Sequence, residues 1–183
     1  MIDIKVEDNI LPSSELKKLQ DLMSFDLPWF PSRILTTKKH SMHDYIPKML
    51  CSDIENWQFA HIFHNHSFGF QNQSSPFTES LAGIINRIDI DALIRIKANL
   101  NPRTESIVKH GFHIDQRNDN VKASIFYVNS NDGYTEFEDG TRIDSVENRL
   151  VTFPSNIPHT GTSCTDSPWR IVVNFNYYSR NYD

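Results

Sequence analysis

Apolar residues at helical spacing predict two helices before residue 90. The first follows Ser13 or Ser14, either of which can cap it, and contains four such residues: Leu16, Leu19, Leu22 and Met23. The second is predicted over residues 75–88, where five apolar residues share one side: Phe77, Leu81, Ile84, Ile85 and Ile88. Residues 26–31 contain two prolines and predict a loop, whereas residues 36–74 show no clean period and are interpreted as irregular.

After residue 90 the pattern changes to that of β-strands. Residues 92–100 alternate between apolar and polar side chains, as a strand with one buried face does. Further strands are predicted from β-branched and aromatic composition over residues 121–129, 134–137, 149–153 and 170–178. Helices followed by short strands predict an α+β protein with an antiparallel sandwich or barrel backed by N-terminal helices.

Two of the predicted strands carry a polar face. On the last strand this face holds Arg170, Val172, Asn174 and Asn176, and on the strand over 92–100 it holds Arg95, Lys97 and Asn99. A single polar face more often contacts water. Two strands with the same pattern favour polar side chains that line the inside of a barrel, where they can hold a polar ligand.

Composition limits the class of protein. The 183 residues fit one domain, with residues 1–90 as support and substrate-binding elements and residues 91–183 as the core. The net charge of −5 disfavours nucleic acid as a partner, and no stretch approaches the ~18 consecutive apolar residues of a membrane span. Two cysteines, Cys51 and Cys164, are too few for a disulfide scaffold, and residues 1–10 do not look like a signal peptide. We expect a cytoplasmic protein.

A His-x-Asp pair is the first candidate for chemistry. On an extended segment the side chains of His113 and Asp115 point the same way and can ligate one metal ion. His159 is the obvious candidate for the third ligand. Two histidines and one carboxylate on one face of the metal are typical of non-haem Fe(II) oxygenases, because the other positions stay open. Taken alone, the motif is equally that of a histidine paired with an aspartate in a surface turn.

Arg170 adds to this group. It begins the strand whose polar face is predicted to face inward, and a buried guanidinium needs an anionic partner such as a carboxylate. Three metal ligands and a carboxylate-binding arginine are the layout that 2-oxoglutarate requires, because it chelates iron at one end and has a carboxylate at the other.

Six segments in order resemble the 2-oxoglutarate/Fe(II)-dependent oxygenase superfamily, and within it the small prolyl-4-hydroxylase-like members from bacteria and phages. They are RIKANLNP, HGFHID, KASIFYVN, DGYTEFEDG, NRLVTFPSNIPHTG and WRIVVNFNY. The resemblance implies a double-stranded β-helix (jelly-roll) core with iron at His113, Asp115 and His159. It also implies that Arg170 binds the C5 carboxylate of 2-oxoglutarate. Tyr127, Asn99 and Asn174 are further candidates for contact with this co-substrate.

The resemblance implies a dioxygenase that uses Fe(II), 2-oxoglutarate and O2 to hydroxylate a C–H bond of a peptide or small molecule, releasing succinate and CO2. Asp132-Gly133 stands where prolyl hydroxylases usually have Gly-Gly, and some of them have lysine where this chain has Arg170, so a prolyl substrate is not implied. Two alternatives are a non-catalytic binding module of the same fold and an oxidative demethylase of nucleic acid or protein.

Several other residues are weighed against ordinary structural roles. Polar loop positions explain His61, His64 and His66 better than a second metal site does. His110 is three residues from His113, so on an extended segment it points to the opposite side, and it is not counted as a metal ligand. Cys164 fits a buried small residue or a loop thiol. Residues 26–32, with Trp29, and residues 61–70 are the candidate substrate-selecting segments, and Trp29 is the best lid candidate, although packing is the simpler role.

Overall fold

The computed structural model describes residues 3–33, 57–66 and 73–180, which form two antiparallel β-sheets and two α-helices. The strands are β1 (Lys5–Glu7), β2 (Phe30–Arg33), β3 (Trp57–Asn65), β4 (Gln73–Ser74), β5 (Ile90–Pro102), β6 (Val121–Tyr127), β7 (Tyr134–Phe137), β8 (Arg142–Asp144), β9 (Arg149–Pro154), β10 (His159–Gly161) and β11 (Trp169–Ser179). The helices are α1 (Ser13–Asp21), continued by a π-helix over Leu22–Asp26, and α2 (Ala82–Ile85), preceded by a 3-10 helix over Thr78–Leu81.

The larger sheet has the strand order β1-β9-β6-β11-β5-β3-β2, with β4 paired to β3, and the smaller sheet has the order β10-β7-β8. The central strand β11 pairs with both β5 and β6, and its register places Arg170 opposite Asn101 and Asn174 opposite Lys97. Because side chains alternate along a strand, the polar residues of β5 and β11 share one face of the sheet. This antiparallel two-sheet core confirms the predicted class of architecture.

The two faces of the larger sheet pack against different partners. The outer face of β11, with Ile171, Val173 and Phe175, joins Leu16 and Leu19 of α1 in one buried cluster. On the inner face, Val172 packs in a second cluster with aromatic residues from both sheets: Tyr127, Phe137 and Phe153. The apolar–polar alternation of β11 therefore separates a purely structural core from the side that faces the smaller sheet.

The second predicted helix is shorter than residues 75–88. Helical structure covers Thr78–Leu81 as a 3-10 helix and Ala82–Ile85 as an α-helix. The Thr78 hydroxyl donates to the Phe63 carbonyl of β3 at 2.7 Å, which fixes the start of the segment against the sheet. Gly83 has low helix propensity, and β5 begins at Ile90, so the chain leaves the helix early.

Two segments predicted as loop or irregular contain strands. β2 begins at Phe30, inside the proline-bounded segment, and β3 occupies nine residues of the 36–74 region. β2 is an edge strand of the sheet, where a proline such as Pro31 is tolerated. A register shift between Ile62 and His64 breaks the alternation in β3, so its sequence does not show period two. The remainder of this region, residues 34–56 and 67–72, lies outside the described residues.

Within the described ranges, no helix is both long and apolar enough to cross a membrane.

Candidate metal and co-substrate site

Three side chains converge between β10 of the smaller sheet and β11 of the larger sheet. The metal-ligating atoms of His113, Asp115 and His159 all lie within 4.8 Å of one another, and no other group of this kind occurs among the residues that the structure describes. The backbones of His113 and His159 exchange two hydrogen bonds, of 2.9 and 3.0 Å. The Asp115 amide donates to the Ser155 carbonyl at 3.0 Å. Backbone pairing therefore holds the His-x-Asp segment beside β10. His113 and Asp115 direct their side chains to the same side, as period two predicted.

Both histidines present the ring nitrogen that a metal needs. Nδ1 of His159 lies 2.9 Å from the Ile157 carbonyl, which requires a proton on Nδ1 and leaves Nε2 with its lone pair. The ring of His159 packs edge-on against Phe153, with 4.8 Å between centroids, and is 3% exposed. Burial, followed by the neighbouring His159, lowers the pKa of His113. The neutral imidazole, which is the ligating form, is therefore favoured.

A hydrogen-bonded chain orients the carboxylate of Asp115. Asn176 of β11 donates from Nδ2 to Oδ2 of Asp115 at 2.9 Å and accepts at Oδ1 from Nε of Arg95 at 3.2 Å. Nη2 of Arg95 lies 3.7 Å from Oδ1 of Asp115. Asn176 and Arg95 lie on the two faces predicted to be polar, but neither residue was predicted to have a role at the site. Asn176 lies an even number of residues from Arg170 on β11, and Arg95 lies an even number from Asn99 on β5. This spacing places them on the same face and could have identified them from the sequence.

Arg170 is buried, with 2% of its surface exposed, among neutral partners. Nε donates to the Ser145 hydroxyl at 2.7 Å, and Nη2 donates to the Thr135 hydroxyl at 3.1 Å. The guanidinium carbon lies 5.5 Å from the ring centroid of Tyr127, whose hydroxyl also donates to Thr135 at 2.8 Å. No carboxylate of the described residues lies within 4.0 Å of this guanidinium. A buried cation without an anionic partner fits a site for an anionic ligand.

Arg170 and the metal-ligand group are adjacent. Gly161 follows His159 by two residues on β10, and a Cβ built on it would lie 3.3 Å from Nη1 of Arg170. The absence of a side chain at Gly161 therefore leaves room beside the guanidinium. A larger residue here would fill the space between Arg170 and the strand that carries His159.

Several buried polar atoms at this site have no hydrogen-bond partner among the described residues: Oδ1 of Asn99, Oδ1 of Asn101, and both ring nitrogens of His110. Burial, followed by the charges of Arg170 and His113, lowers the pKa of His110 to about 4, so this ring is neutral at pH 7. Such atoms are costly unless a ligand or water satisfies them. His110 was not predicted to be a metal ligand. In the structure its ring nitrogens are available to hydrogen-bond a bound small molecule.

The other sequence candidates have separate positions. Nδ2 of Asn174 donates to the Lys97 carbonyl across the β5–β11 pair at 3.5 Å. His61 is 6% exposed and bonds through its two ring nitrogens to the Pro28 carbonyl and the Ser75 hydroxyl, each at 2.8 Å. It is therefore a satisfied structural histidine. Cys164 is fully buried, in agreement with a packing role.

The lid hypothesis for Trp29 is wrong. Its indole nitrogen donates to the Met23 carbonyl at 2.9 Å, and its ring packs against the core cluster on the outer face of the larger sheet. Neighbouring residues of a strand point to opposite faces, so Phe30, which begins β2, is the residue of this segment that faces inward. Of the candidate segment 61–70, residues 67–70 lie outside the described residues.

The donor set fits the group that the resemblance implies. Two neutral imidazoles and one carboxylate suit a divalent first-row metal and leave coordination positions open. Arg170, which lacks an anionic partner among the described residues, and the unsatisfied ring N–H of His110 suit an anionic co-substrate. The residues present are therefore able to hold both Fe(II) and 2-oxoglutarate.

Comparisons with known proteins identify the fold. No protein-family model and no curated protein matches the sequence. Similar solved structures include an oxidoreductase of the 2OG-Fe(II) oxygenase family from Burkholderia pseudomallei, with a TM-score of 0.62 and 11% identity over 97% of this chain and 85% of that chain. A prolyl-4-hydroxylase from Pseudomonas putida has a TM-score of 0.58 and 13% identity over 98% and 94% of the two chains. The epimerase SnoN of nogalamycin biosynthesis, solved with Fe3+, alpha-ketoglutarate and nogalamycin RO, has a TM-score of 0.61 and 9% identity over 97% and 79%.

The chain therefore has the fold of the 2-oxoglutarate/Fe(II)-dependent oxygenases, prolyl-4-hydroxylases included, and this confirms the architecture expected from the six motifs.

Proposed function

We propose that this protein is an Fe(II)- and 2-oxoglutarate-dependent oxygenase that hydroxylates a C–H bond of a small-molecule or peptide substrate, with release of succinate and CO2. The observation that carries the proposal is the adjacency of a converged His-Asp-His group and a buried arginine that lacks an anionic partner among the described residues. A metal site alone would support many functions, whereas this pair supports a chelating ligand with a distal carboxylate.

The proposed roles follow from the contacts. His113, Asp115 and His159 would hold the metal, with Asn176 fixing one oxygen of Asp115 and leaving the other for the ion. When bound, iron and 2-oxoglutarate supply O2 activation coupled to oxidative decarboxylation. A protein that only binds a ligand has no need of all three metal ligands together with Arg170, so the binding-module alternative is not favoured.

Arg170 would bind the C5 carboxylate through the N–H groups left on Nη1 and Nη2, because Nε and one N–H of Nη2 already donate to Ser145 and Thr135. These two hydroxyls fix the guanidinium before the ligand arrives, which lowers the entropic cost of binding. Tyr127 packs against the guanidinium and would line the same pocket. The unsatisfied amide oxygen of Asn101 lies opposite Arg170 in the β5–β11 register, on the same side.

Hydroxylation is proposed on the similarity to a prolyl-4-hydroxylase, and the equally similar epimerase makes product analysis essential. The test has two stages. Anaerobic addition of Fe(II) and 2-oxoglutarate should produce a visible charge-transfer absorption, and exposure to O2 should release succinate. Asp115→Ala should abolish both signals, because the metal loses its only anionic protein ligand. Asp119→Ala removes a nearby exposed carboxylate and should leave both signals unchanged. Wild-type signals in Asp115→Ala would refute the proposal.

A further inference from the structure

The inner face of the larger sheet continues beyond the metal-ligand group as a groove. Its volume is about 510 Å³, within the range of small-molecule sites, and it lies over β5, β3 and β2. The register places Phe30 beside Ala60, Ala60 beside Asn99, and Ile62 beside Lys97, so all of these side chains share the face that carries Arg170. Arg95 lines this groove and also lies 3.7 Å from Asp115, so the groove adjoins the metal site.

The groove has a cationic side. Arg95 and Lys97 are neighbours on the inner face of β5, in a chain whose net charge is −5. No carboxylate of the described residues lies within 4.0 Å of the Lys97 ammonium. Burial, followed by the charge of Arg95, lowers the pKa of Lys97 to about 8, with the Asp115 carboxylate opposing the shift, so Lys97 is still protonated at pH 7.

Charge balance indicates what this side would bind. A divalent metal, the Asp115 carboxylate, Arg170 and doubly negative 2-oxoglutarate are together neutral. The Asp115 carboxylate, 3.7 Å from Arg95, is already counted against the metal, so this sum leaves the charges of Arg95 and Lys97 without a balancing anion when the metal and co-substrate are bound. Two half-buried like charges on one face of β5 favour the binding of a counter-ion. Since 2-oxoglutarate already has Arg170, these two cations remain for a different ligand.

The opposite side of the groove is apolar. Phe30 is 62% exposed and Ile62 is 47% exposed, although both point to the functional face of the sheet. Large apolar side chains exposed beside a candidate active site are typical of a surface that a ligand covers.

We propose that the primary substrate is a small molecule that carries a carboxylate or phosphate next to an apolar group, with the anion on Lys97 and Arg95 and the apolar group on Ile62 and Phe30. This inference rests on the proposed oxygenase function, whose metal and co-substrate sites it adjoins. In this arrangement the substrate carbon that reacts would lie between the groove and the metal.

The test uses a matched pair of probes with the metal and co-substrate sites filled by inert stand-ins, Zn(II) and N-oxalylglycine. Fluorine NMR would measure the binding of 4-(trifluoromethyl)phenylacetate and of its neutral amide, and 4-(trifluoromethyl)benzylphosphonate would separate a preference for phosphate from one for carboxylate. At least one anion should bind tenfold or more tightly than the amide. Lys97→Met should abolish this preference, and Lys97→Arg should retain it. Lys5→Met removes a cation that is 68% exposed on β1 and serves as the control.

Ile62→Ser should lower the affinity for the anionic probes and for the neutral probe by the same factor, because the substitution removes only apolar contact. Equal binding of anion and amide, a preference that survives Lys97→Met, or no binding of either anion would overturn the inference. Binding of Zn(II) and N-oxalylglycine is measured first by calorimetry. Failure at that stage would refute the oxygenase proposal, whereas failure only with the probes would refute the substrate class.

Discussion

Asn176 holds the carboxylate of Asp115 from a strand that lies 61 residues further along the chain, through an Nδ2-to-Oδ2 hydrogen bond of 2.9 Å. Asn176 is itself fully buried and is oriented by Nε of Arg95. The amide donates to Oδ2, which leaves Oδ1 for a metal. Asn176 is thus a positioning residue for the metal site, and this role can be measured.

Replacing Asn176 by alanine should lower the affinity for Co(II) about tenfold to a hundredfold, the usual effect of losing a group that orients a metal ligand. Without the amide, the Asp115 carboxylate can rotate away from the ligating geometry. Metal titration monitored by the visible bands of Co(II) measures the affinity. Asn174→Ala removes the same side chain two residues earlier on the same face and should not change it. Equal losses in both variants would show that the effect comes from general damage to β11.

Arg170→Gln should weaken 2-oxoglutarate binding by about 1.5–3 kcal/mol, or roughly tenfold to more than a hundredfold. The reason is that the charge-assisted hydrogen bond to the distal carboxylate is lost while chelation of the metal remains. Calorimetric titration with Zn(II) present measures the affinity, and the affinity for Zn(II) itself should be unchanged. Arg180→Gln, in the exposed residue after β11, is the control. Unchanged 2-oxoglutarate affinity in Arg170→Gln would assign the carboxylate to another residue.

His110 should make the stability of the metal-free protein depend on pH. Its folded-state pKa is about 4 against an ordinary value of 6.5, so the unfolded chain binds more protons between these values. The free energy of unfolding therefore rises with pH through this window. It falls by as much as about 3 kcal/mol as the pH is lowered through the same window. Urea unfolding from pH 4 to 7 should show a smaller pH dependence in His110→Gln, and above pH 7 the two proteins should respond alike. Parallel curves across the window would contradict the assignment.

Asn148 ties the N-terminal segment to the core. Its side chain bonds to the amide and the carbonyl of Leu11, each at 2.8 Å, and its φ of 64° lies in the left-handed region. Asn148→Ala should lower the free energy of unfolding by about 3 kcal/mol, from two hydrogen bonds of about 1 kcal/mol each and about 1 kcal/mol of backbone strain. Asn148→Gly loses the bonds without the strain and should be about 1 kcal/mol more stable than the alanine variant. Urea unfolding gives both values, and equal stabilities would exclude the strain contribution.

Features that depend on neighbouring residues could be predicted from the sequence. Period two placed His113 and Asp115 on one side of an extended segment, and the same period put Arg170 on the polar face of β11; the structure has both arrangements. The second helix is shorter than the predicted 75–88, and Trp57–Asn65, within the region interpreted as irregular, form β3. Glycine, proline and a register shift hide or interrupt the periods on which such predictions depend.

Only the tertiary structure decided which distant residues meet. The pairing of β5 with β11 brings Arg95 to Asn176, and the packing of the smaller sheet against the larger one surrounds Arg170 with Thr135 and Ser145. The groove depends on the pairing of β3 with β5 and of β2 with β3. A sequence fixes which side of a strand a residue occupies, but a contact between strands depends on their order and register. These are set by the burial of all the apolar faces together, so no single segment of the chain reveals them.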